Sequence, residues 1–173
     1  MRTVTFGCAN SLDNYIARPD HAVDWLLWGP EVARLTSAFW KKVDTVVMGR
    51  KTYEVAVRSG MPAYPGVKNY VFSRTLQPEP ESPVEIVSED AATFVARLKE
   101  EPGKGICVMG GGEIGQALLA AGVIDEIGVN IHPVLLGQGI PLFHPLPQQV
   151  DLELIETERF ENGCVYLLYR VKR

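Results

Sequence analysis

The sequence predicts an α/β protein in which helices pack on a sheet whose strands are joined by right-handed crossovers. Two observations predict it. Short apolar runs alternate with helix-like segments through most of the chain, which is the pattern of strands linked by crossover helices. Near the C-terminus, two β-rich runs flank Asn162-Gly163, a dipeptide typical of hairpin turns, so an antiparallel ribbon closes the fold.

The strands are predicted from short apolar or β-branched runs bounded by turn residues. The first, Val4–Ala9, ends at Asn10-Ser11, and the segment Leu12–Trp28 that follows is expected to be irregular. A loop at 77–83 carries three prolines and is expected to be an exposed connection. In chain order, we expect strands at 4–9, 45–48, 69–73, 84–87, 106–109, 124–132, 152–160 and 164–171.

Helices are predicted from their start and stop signals. Pro30-Glu31 is a typical helix entry, with proline at the first position and an acid in the first turn, and an apolar stripe continues to Val43. A short helix follows Gly49, and two more are expected at 91–100 and 113–121, where Pro102-Gly103 and Gly122 end them. No linker or repeat divides the chain, so we expect one domain over 1–173.

Composition excludes several classes of function. The 173 residues are 46% hydrophobic, which is enough for a packed core, and their formal charge of −4 argues against a general nucleic-acid or membrane-surface binder. Three well-separated cysteines lack metal or redox spacing and are expected to be free thiols. No secretory leader or membrane span is expected, which predicts a cytoplasmic protein.

A glycine-rich segment is the strongest candidate for a binding site. Gly110-Gly111-Gly112 lies between a buried strand and a helix, where free backbone N–H groups suit a diphosphate. The spacing is neither a Walker pattern nor a complete G-x-G-x-x-G. A tight structural turn is the alternative interpretation of the same residues.

Two further strand ends carry groups that suit phosphates. Gly49-Arg50-Lys51-Thr52 places two cations in the first turn of a helix, where they oppose the helix dipole unless an anion lies beside them. Ser73-Arg74 ends the next strand with a hydroxyl and a guanidinium. Because ligands in α/β sheets bind beyond the carboxyl ends of the strands, we expect these groups and the triple glycine to share one site.

Seven short segments, taken in order, carry a resemblance to a known family: 11–17, Met48–Glu54, 72–74, 110–112, Asp125-Glu126, 133–139 and 141–143. Their order resembles the dihydrofolate reductase superfamily, most closely the branch named for the reductase domain of bacterial riboflavin biosynthesis. The resemblance spans nearly the whole chain and implies a three-layer fold with a mixed, mostly parallel sheet, NADPH as cofactor and frequent homodimers.

The resemblance also implies roles for individual residues. Ala9 and Ile16 would meet the nicotinamide through backbone groups. Gly49, Arg50, Lys51 and Thr52 would hold the diphosphate and 2′-phosphate side, and Ser73 and Arg74 would flank the 2′-phosphate. The diphosphate would be wrapped by Gly110, Gly111, Gly112, Glu113 and Ile114.

The substrate is predicted from positions at which this chain differs from true dihydrofolate reductases. Where true dihydrofolate reductases have an arginine for the folate tail, this chain has Val67, which cannot pair a carboxylate, and Gly115 replaces an expected tyrosine. Ser11-Leu12-Asp13 instead resembles the pyrimidine reductase branch, although Asn14 replaces its usual glycine and, at 173 residues, we expect no fused deaminase. The predicted substrate is therefore a pyrimidine-like heterocycle.

Acidic residues are the candidates for proton chemistry. Glu31 and Asp13 are predicted to orient the ring or assist protonation, and Asp24 with Trp25 to contact a flat heterocycle. Each also has a structural interpretation, as a first-turn acid, a turn former or a surface residue. We predict no metal site. The leading hypothesis is an NADPH-dependent reductase, and the alternatives are a dihydrofolate or pterin reductase and a non-catalytic NADPH-binding module.

Overall fold

A computed structural model describes the whole chain, Met1–Arg173, as ten strands and four helices. The strands are β1 Val4–Ser11, β2 Tyr15–Ala17, β3 Val43–Gly49, β4 Lys68–Phe72, β5 Glu85–Val87, β6 Gly105–Met109, β7 Glu126–His132, β8 Ile140–Pro141, β9 Leu152–Arg159 and β10 Val165–Val171. The helices are α1 Pro30–Lys41, α2 Arg50–Arg58, α3 Ala91–Glu100 and α4 Gly112–Ala120.

Eight strands form one mixed sheet in the order β5-β4-β3-β6-β1-β7-β10-β9. From β5 to β7 every neighbouring pair is parallel, and β10 and β9 then add antiparallel strands at one edge. This confirms the predicted fold class, a mostly parallel sheet flanked by helices and closed by an antiparallel C-terminal hairpin. The strands β4, β3 and β6 are neighbours, so their carboxyl ends meet at one edge.

Helices cover both faces of the sheet and bury its central strands. On one face, Phe94 of α3 and Leu118 of α4 pack in a cluster that contains Val4 and Phe6 of β1. On the other face, Phe39 and Trp40 of α1 and Tyr53 of α2 pack against Val43, Val46 and Met48 of β3. Burial of this apolar surface is the main source of stability for the sheet. No helix is both long enough and apolar enough to span a membrane.

Most helix and strand boundaries lie within about two residues of those predicted from the sequence. Helix α3 has the predicted bounds because the Asp90 side chain accepts a hydrogen bond from the Thr93 N–H at its start, and Pro102 follows its end. The prediction that 12–28 is wholly irregular is wrong. Within it, β2 pairs with β8 in a separate two-stranded sheet, which depends on a partner more than a hundred residues away.

Candidate functional site

A cleft of about 770 Å³ opens where β3, β4 and β6 end. Its volume lies within the range typical of sites for small molecules and cofactors. Three loops line it, each following one of these parallel strands, together with the β2–β8 pair from the far side. This is the edge at which ligands bind in open α/β sheets.

The triple glycine forms a backbone surface at one side of the cleft. Gly110 adopts φ +83°, in the left-handed region, and a Cβ atom there would collide with the Thr52 side chain. The Gly111 N–H points to Thr52 Oγ1 at 3.4 Å, and no side chain caps the start of α4. The first N–H groups of α4 are therefore available to an anion in the cleft.

Cationic side chains line the same half of the cleft. Arg50 and Lys51 lie in the first turn of α2, which has no acidic residue and no side-chain cap. Lys51 Nζ lies 3.3 Å from Glu113 Oε1, and Arg50 Nε lies 3.7 Å from Glu54 Oε1. All four side chains are well exposed, so these ion pairs are weak and can exchange for a stronger anion.

The turn after β4 brings a further cation to the cleft. Ser73 Oγ accepts hydrogen bonds from the backbone N–H groups of Thr75, at 3.2 Å, and Leu76, at 3.0 Å. These bonds shape the turn that carries the exposed guanidinium of Arg74, which also lines the cleft. The hydroxyl thus positions the loop, and the guanidinium is the group free to pair with a phosphate.

The opposite end of the cleft is apolar. Ile16 and Ala17 of β2, Ile140 and Pro141 of β8, and Val23 line it. Cys8 also lines it, and burial raises the pKa of its thiol to about 12, so the thiol stays neutral. The cleft therefore has a basic half and an uncharged half, and a ligand that spans it must be anionic at one end and uncharged at the other.

Asp13 holds the wall of the apolar end in place. Its carboxylate accepts hydrogen bonds from Ser11 Oγ at 2.6 Å, from the Gly137 N–H at 2.8 Å and from the Leu136 N–H at 3.1 Å. The bond from Ser11 is the largest cause of a lowered pKa for Asp13. These bonds tie the β1–β2 turn to the loop that leads into β8. Asp13 does not itself line the cleft.

The other predicted substrate and catalytic residues also lie outside the lining of the cleft. Glu31 accepts a hydrogen bond from the Glu161 N–H at 3.0 Å, and Asp24 pairs with Arg18 at 2.7 Å. Trp25 is buried edge-on against His132, with ring centroids 5.3 Å apart, and its Nε1 has no partner. Ala9 lies beside Asn130 of β7 and does not line the cleft.

The structure brings together nearly all of the residues predicted for the cofactor. Lining the cleft are Ile16, Gly49, Arg50, Lys51, Thr52, Ser73, Arg74, Gly110, Gly111, Gly112, Glu113 and Ile114. Sequence reasoning missed His144, whose imidazole lies over Gly112 in the cleft. No local pattern marks His144, because it reaches the cleft only when the chain after β8 folds back over the start of α4.

Comparison with known proteins finds one matching family and two related proteins. The model of the RibD C-terminal domain family matches residues 2–166. YwjB of Bacillus subtilis (strain 168) is 39% identical over 154 residues, 88% of either chain. YyaP of the same organism is 29% identical over 180 residues, 97% of this chain and 94% of its own. Both relatives are named as uncharacterized proteins.

Solved structures share the fold over the full length of the chain. A protein from Shewanella sp. PV-4, whose name places it provisionally in riboflavin biosynthesis, superposes with a TM-score of 0.87 at 27% identity, covering 100% of both chains. A pyrimidine reductase-like protein from Corynebacterium diphtheriae gives 0.73 at 16% identity, over 99% of this chain and 92% of its own.

A third structure is longer than this chain. It is the Thermotoga maritima diaminohydroxyphosphoribosylaminopyrimidine deaminase/5-amino-6-(5-phosphoribosylamino)uracil reductase, with a TM-score of 0.73 at 14% identity. The match covers 99% of this chain but 57% of that one. At their identities, the Thermotoga and Corynebacterium structures support the fold alone.

Proposed function

Because the chain belongs to the RibD C-terminal domain family, we propose that it is an NADPH-dependent reductase of a small pyrimidine-like substrate. The proposed reaction resembles that of 5-amino-6-(5-phosphoribosylamino)uracil reductase, an activity named for one of its structural relatives. The observation that carries the proposal is the division of a single cleft into a basic half and an uncharged half.

The residues of the cleft fit a dinucleotide with an additional phosphate. The free N–H groups at the start of α4 suit the diphosphate, and the space beside Gly111 is open, because nothing lies within 4 Å of the position that its Cβ would occupy. Arg50 and Arg74 provide guanidinium groups for the 2′-phosphate, whereas NADH would leave these cations without a partner. This is the physical basis for a preference for NADPH.

When bound, the cofactor supplies a hydride, and the residues of the chain position the two reactants. Ile16, Ala17 and Ile140 form an apolar wall against which a flat ring can lie. The neutral Cys8 thiol beneath adds no charge that would oppose the transfer. The proposed contribution of the protein is therefore binding and orientation rather than covalent chemistry.

The roles of Glu31 and Asp13 as acids stay predictions. Both carboxylates accept backbone N–H bonds outside the lining of the cleft, so a direct role requires a substrate that extends beyond it. Asp24, Trp25 and Ala9 stay predictions in the same way. A drop in kcat for Glu31→Gln with unchanged thermal stability would favour Glu31 as the acid.

A folate substrate is less consistent with the structure. Val67 occupies the position at which a dihydrofolate reductase would hold the folate tail, and its side chain packs on the apolar cluster around β3. It therefore offers no charge to a carboxylate. Dihydrofolate belongs in the substrate panel, where methotrexate-sensitive turnover would favour this alternative.

We also propose that the chain forms a homodimer. The edge strand β9 is exposed along almost its whole length and carries Leu152, Leu154 and Ile155, each at least 37% exposed. Exposed apolar edge strands are prone to pair with another chain. Light scattering of the purified protein tests this, and Leu154→Lys is expected to yield monomers.

The test of the proposed function is a titration with NADPH and NADH, followed by assays of NADPH oxidation with uracil and pterin compounds. Tighter binding of NADPH together with turnover of a uracil supports the proposal. Tight NADPH binding without turnover of any compound would identify a non-catalytic binding module, and equal, weak binding of both dinucleotides would contradict the cofactor assignment.

A further inference from the structure

We infer that the substrate of this protein carries no phosphate: beside the nicotinamide, the uncharged half of the cleft takes a neutral heterocycle. The inference rests on the proposed function and narrows its substrate class. It follows from the distribution of lysine and arginine side chains along the cleft.

The lysine and arginine side chains of the cleft all lie in its basic half. Arg50, Lys51 and Arg74 follow β3 and β4, where the dinucleotide phosphates are proposed to bind. At the other end, Cys8, Ile16, Ala17, Val23, Ile140 and Pro141 line the cleft without a formal charge. The cations present are thus already used by the cofactor.

The surrounding segments bring no other lysine or arginine to the lining of the cleft. Between Lys104 and Arg159 the chain contains neither lysine nor arginine, and this stretch includes α4, β7 and β8. In residues 3–29, which form β1, β2 and the following loop, the one arginine is Arg18. Arg18 does not line the cleft, and its guanidinium pairs with both oxygens of Asp24, at 2.7 and 3.2 Å.

The helix that follows β2 in the chain does not replace a cation. Helix α1 begins at Pro30, which has no N–H to donate, and Glu31 places a carboxylate in its first turn. His144 lies over Gly112 in the basic half, and His21 is left as the one basic side chain at the uncharged end. A single imidazole offers at most two N–H donors, which is too few for a phosphate dianion.

The apolar lining also acts against an anion. A phosphate placed against Ile16, Val23 and Ile140 would lose hydration without gaining a charged partner, which is unfavourable. A neutral ring pays no such cost and gains from burial of its apolar faces. The uncharged half of the cleft is therefore expected to favour an unphosphorylated ligand over the same ligand with a phosphate.

The test uses two ligands that differ in one group: the phosphoribosylamino-uracil and the same compound without its phosphate. Binding of each to the NADP⁺-loaded protein is measured by calorimetry at low and high salt, alongside NADPH oxidation. We expect the unphosphorylated ligand to bind at least as tightly, with little salt dependence. A phosphorylated ligand that binds about tenfold more tightly, with affinity that falls as salt rises, overturns the inference.

A matched pair of variants tests the location. Val23 is 41% exposed and lines the uncharged end, so Val23→Lys adds a cation there, whereas Val23→Gln changes polarity without adding charge. Val23→Lys is expected to shift the ratio of the two affinities about tenfold towards the phosphorylated ligand, and Val23→Gln to leave it unchanged. An unchanged ratio in Val23→Lys overturns the placement of the substrate.

The outcomes separate this inference from the function on which it rests. Preference for the phosphorylated ligand with clear turnover leaves the reductase proposal standing and removes only the inference. Failure of both ligands to bind to the loaded protein, and of all other uracils and pterins to be reduced, removes both.

Discussion

The imidazole of His144 lies in the space that a side chain on Gly112 would need. A Cβ atom on residue 112 would collide with the ring, and the backbone oxygen of Leu142 would lie 3.1 Å from it. Residue 112 is the first residue of α4, whose free N–H groups face the cleft. The glycine thus allows the segment after β8 to close against the proposed diphosphate site.

Gly112→Ala is expected to weaken NADPH binding by about tenfold, or about 1.4 kcal/mol, because the imidazole must leave its position beside the cleft. Fluorescence titration measures the effect. The double variant Gly112→Ala/His144→Ala removes most of the collision and is expected to recover part of the affinity. Unchanged binding in the single variant would contradict the proposed closeness of His144 to the cofactor.

Arg50→Ala is expected to weaken NADPH much more than NADH. A charge-assisted hydrogen bond contributes about 1.5–3 kcal/mol, which corresponds to roughly a tenfold to hundredfold change in Kd for NADPH. The matched control is Arg58→Ala, at the exposed C-terminal end of the same helix, which should change neither affinity. Equal losses for the two dinucleotides would remove Arg50 from the 2′-phosphate site.

Glu113 supplies the one carboxylate that lines the cleft, and it pairs with Lys51 at 3.3 Å. Glu113→Gln removes a charge that repels phosphates and frees Lys51, so NADPH is expected to bind a few-fold more tightly at low salt. Because both side chains are more than 60% exposed, the gain should fade as salt rises. Glu100→Gln, at the exposed C-terminal end of α3, is the control, and weaker binding in Glu113→Gln would speak against a repulsive role.

Asp13 is expected to make stability depend on pH in the acid range. Its hydrogen bonds from Ser11, Gly137 and Leu136 lower the pKa of the carboxyl in the folded protein. The contribution of the ionised group is therefore present above the unfolded pKa, about 4, and is lost as pH falls through the lower folded value. Asp13→Asn should unfold at lower urea than the wild type at neutral pH.

The difference between wild type and Asp13→Asn should shrink as the pH falls below the unfolded pKa of about 4 and through the lower pKa of the folded carboxyl, which then becomes protonated. Asp151→Asn, in an exposed segment, serves as the control. A difference that stays constant from neutral to acid pH would mean that the charge of Asp13 does not support the fold.

The cofactor half of the cleft could be predicted because its signals are local. Gly49-Arg50 after β3 and Gly110-Gly111 after β6 can each be recognised from a few consecutive residues. Because β3 and β6 are parallel neighbours, their carboxyl ends then lie at one edge of the sheet. The substrate end could not be predicted in this way. Its wall comes from β2 and β8, short strands that are distant in sequence, and Asp13 links the segments before them through its bond from the Gly137 N–H.

The acids illustrate the same limit. Glu31 and Asp13 are the residue types that proton chemistry needs. Asp13 follows the carboxyl end of β1, and Glu31 lies in the first turn of α1. Their carboxylates accept backbone N–H bonds from segments that are distant in sequence, at Glu161 and at Leu136-Gly137. A sequence pattern reveals the residue type but not the partner that the folded chain provides.

By itself, the sequence determined which segments become strands and helices and where each one stops, since apolar periodicity, capping and turn residues act over a few residues. Only the tertiary structure decided which loops share a cleft, that His144 closes over Gly112, and that one half of the cleft holds no cation. The physical reason is that these features arise from contacts between segments separated by tens of residues, whose position is set by burial of the common core rather than by any local preference.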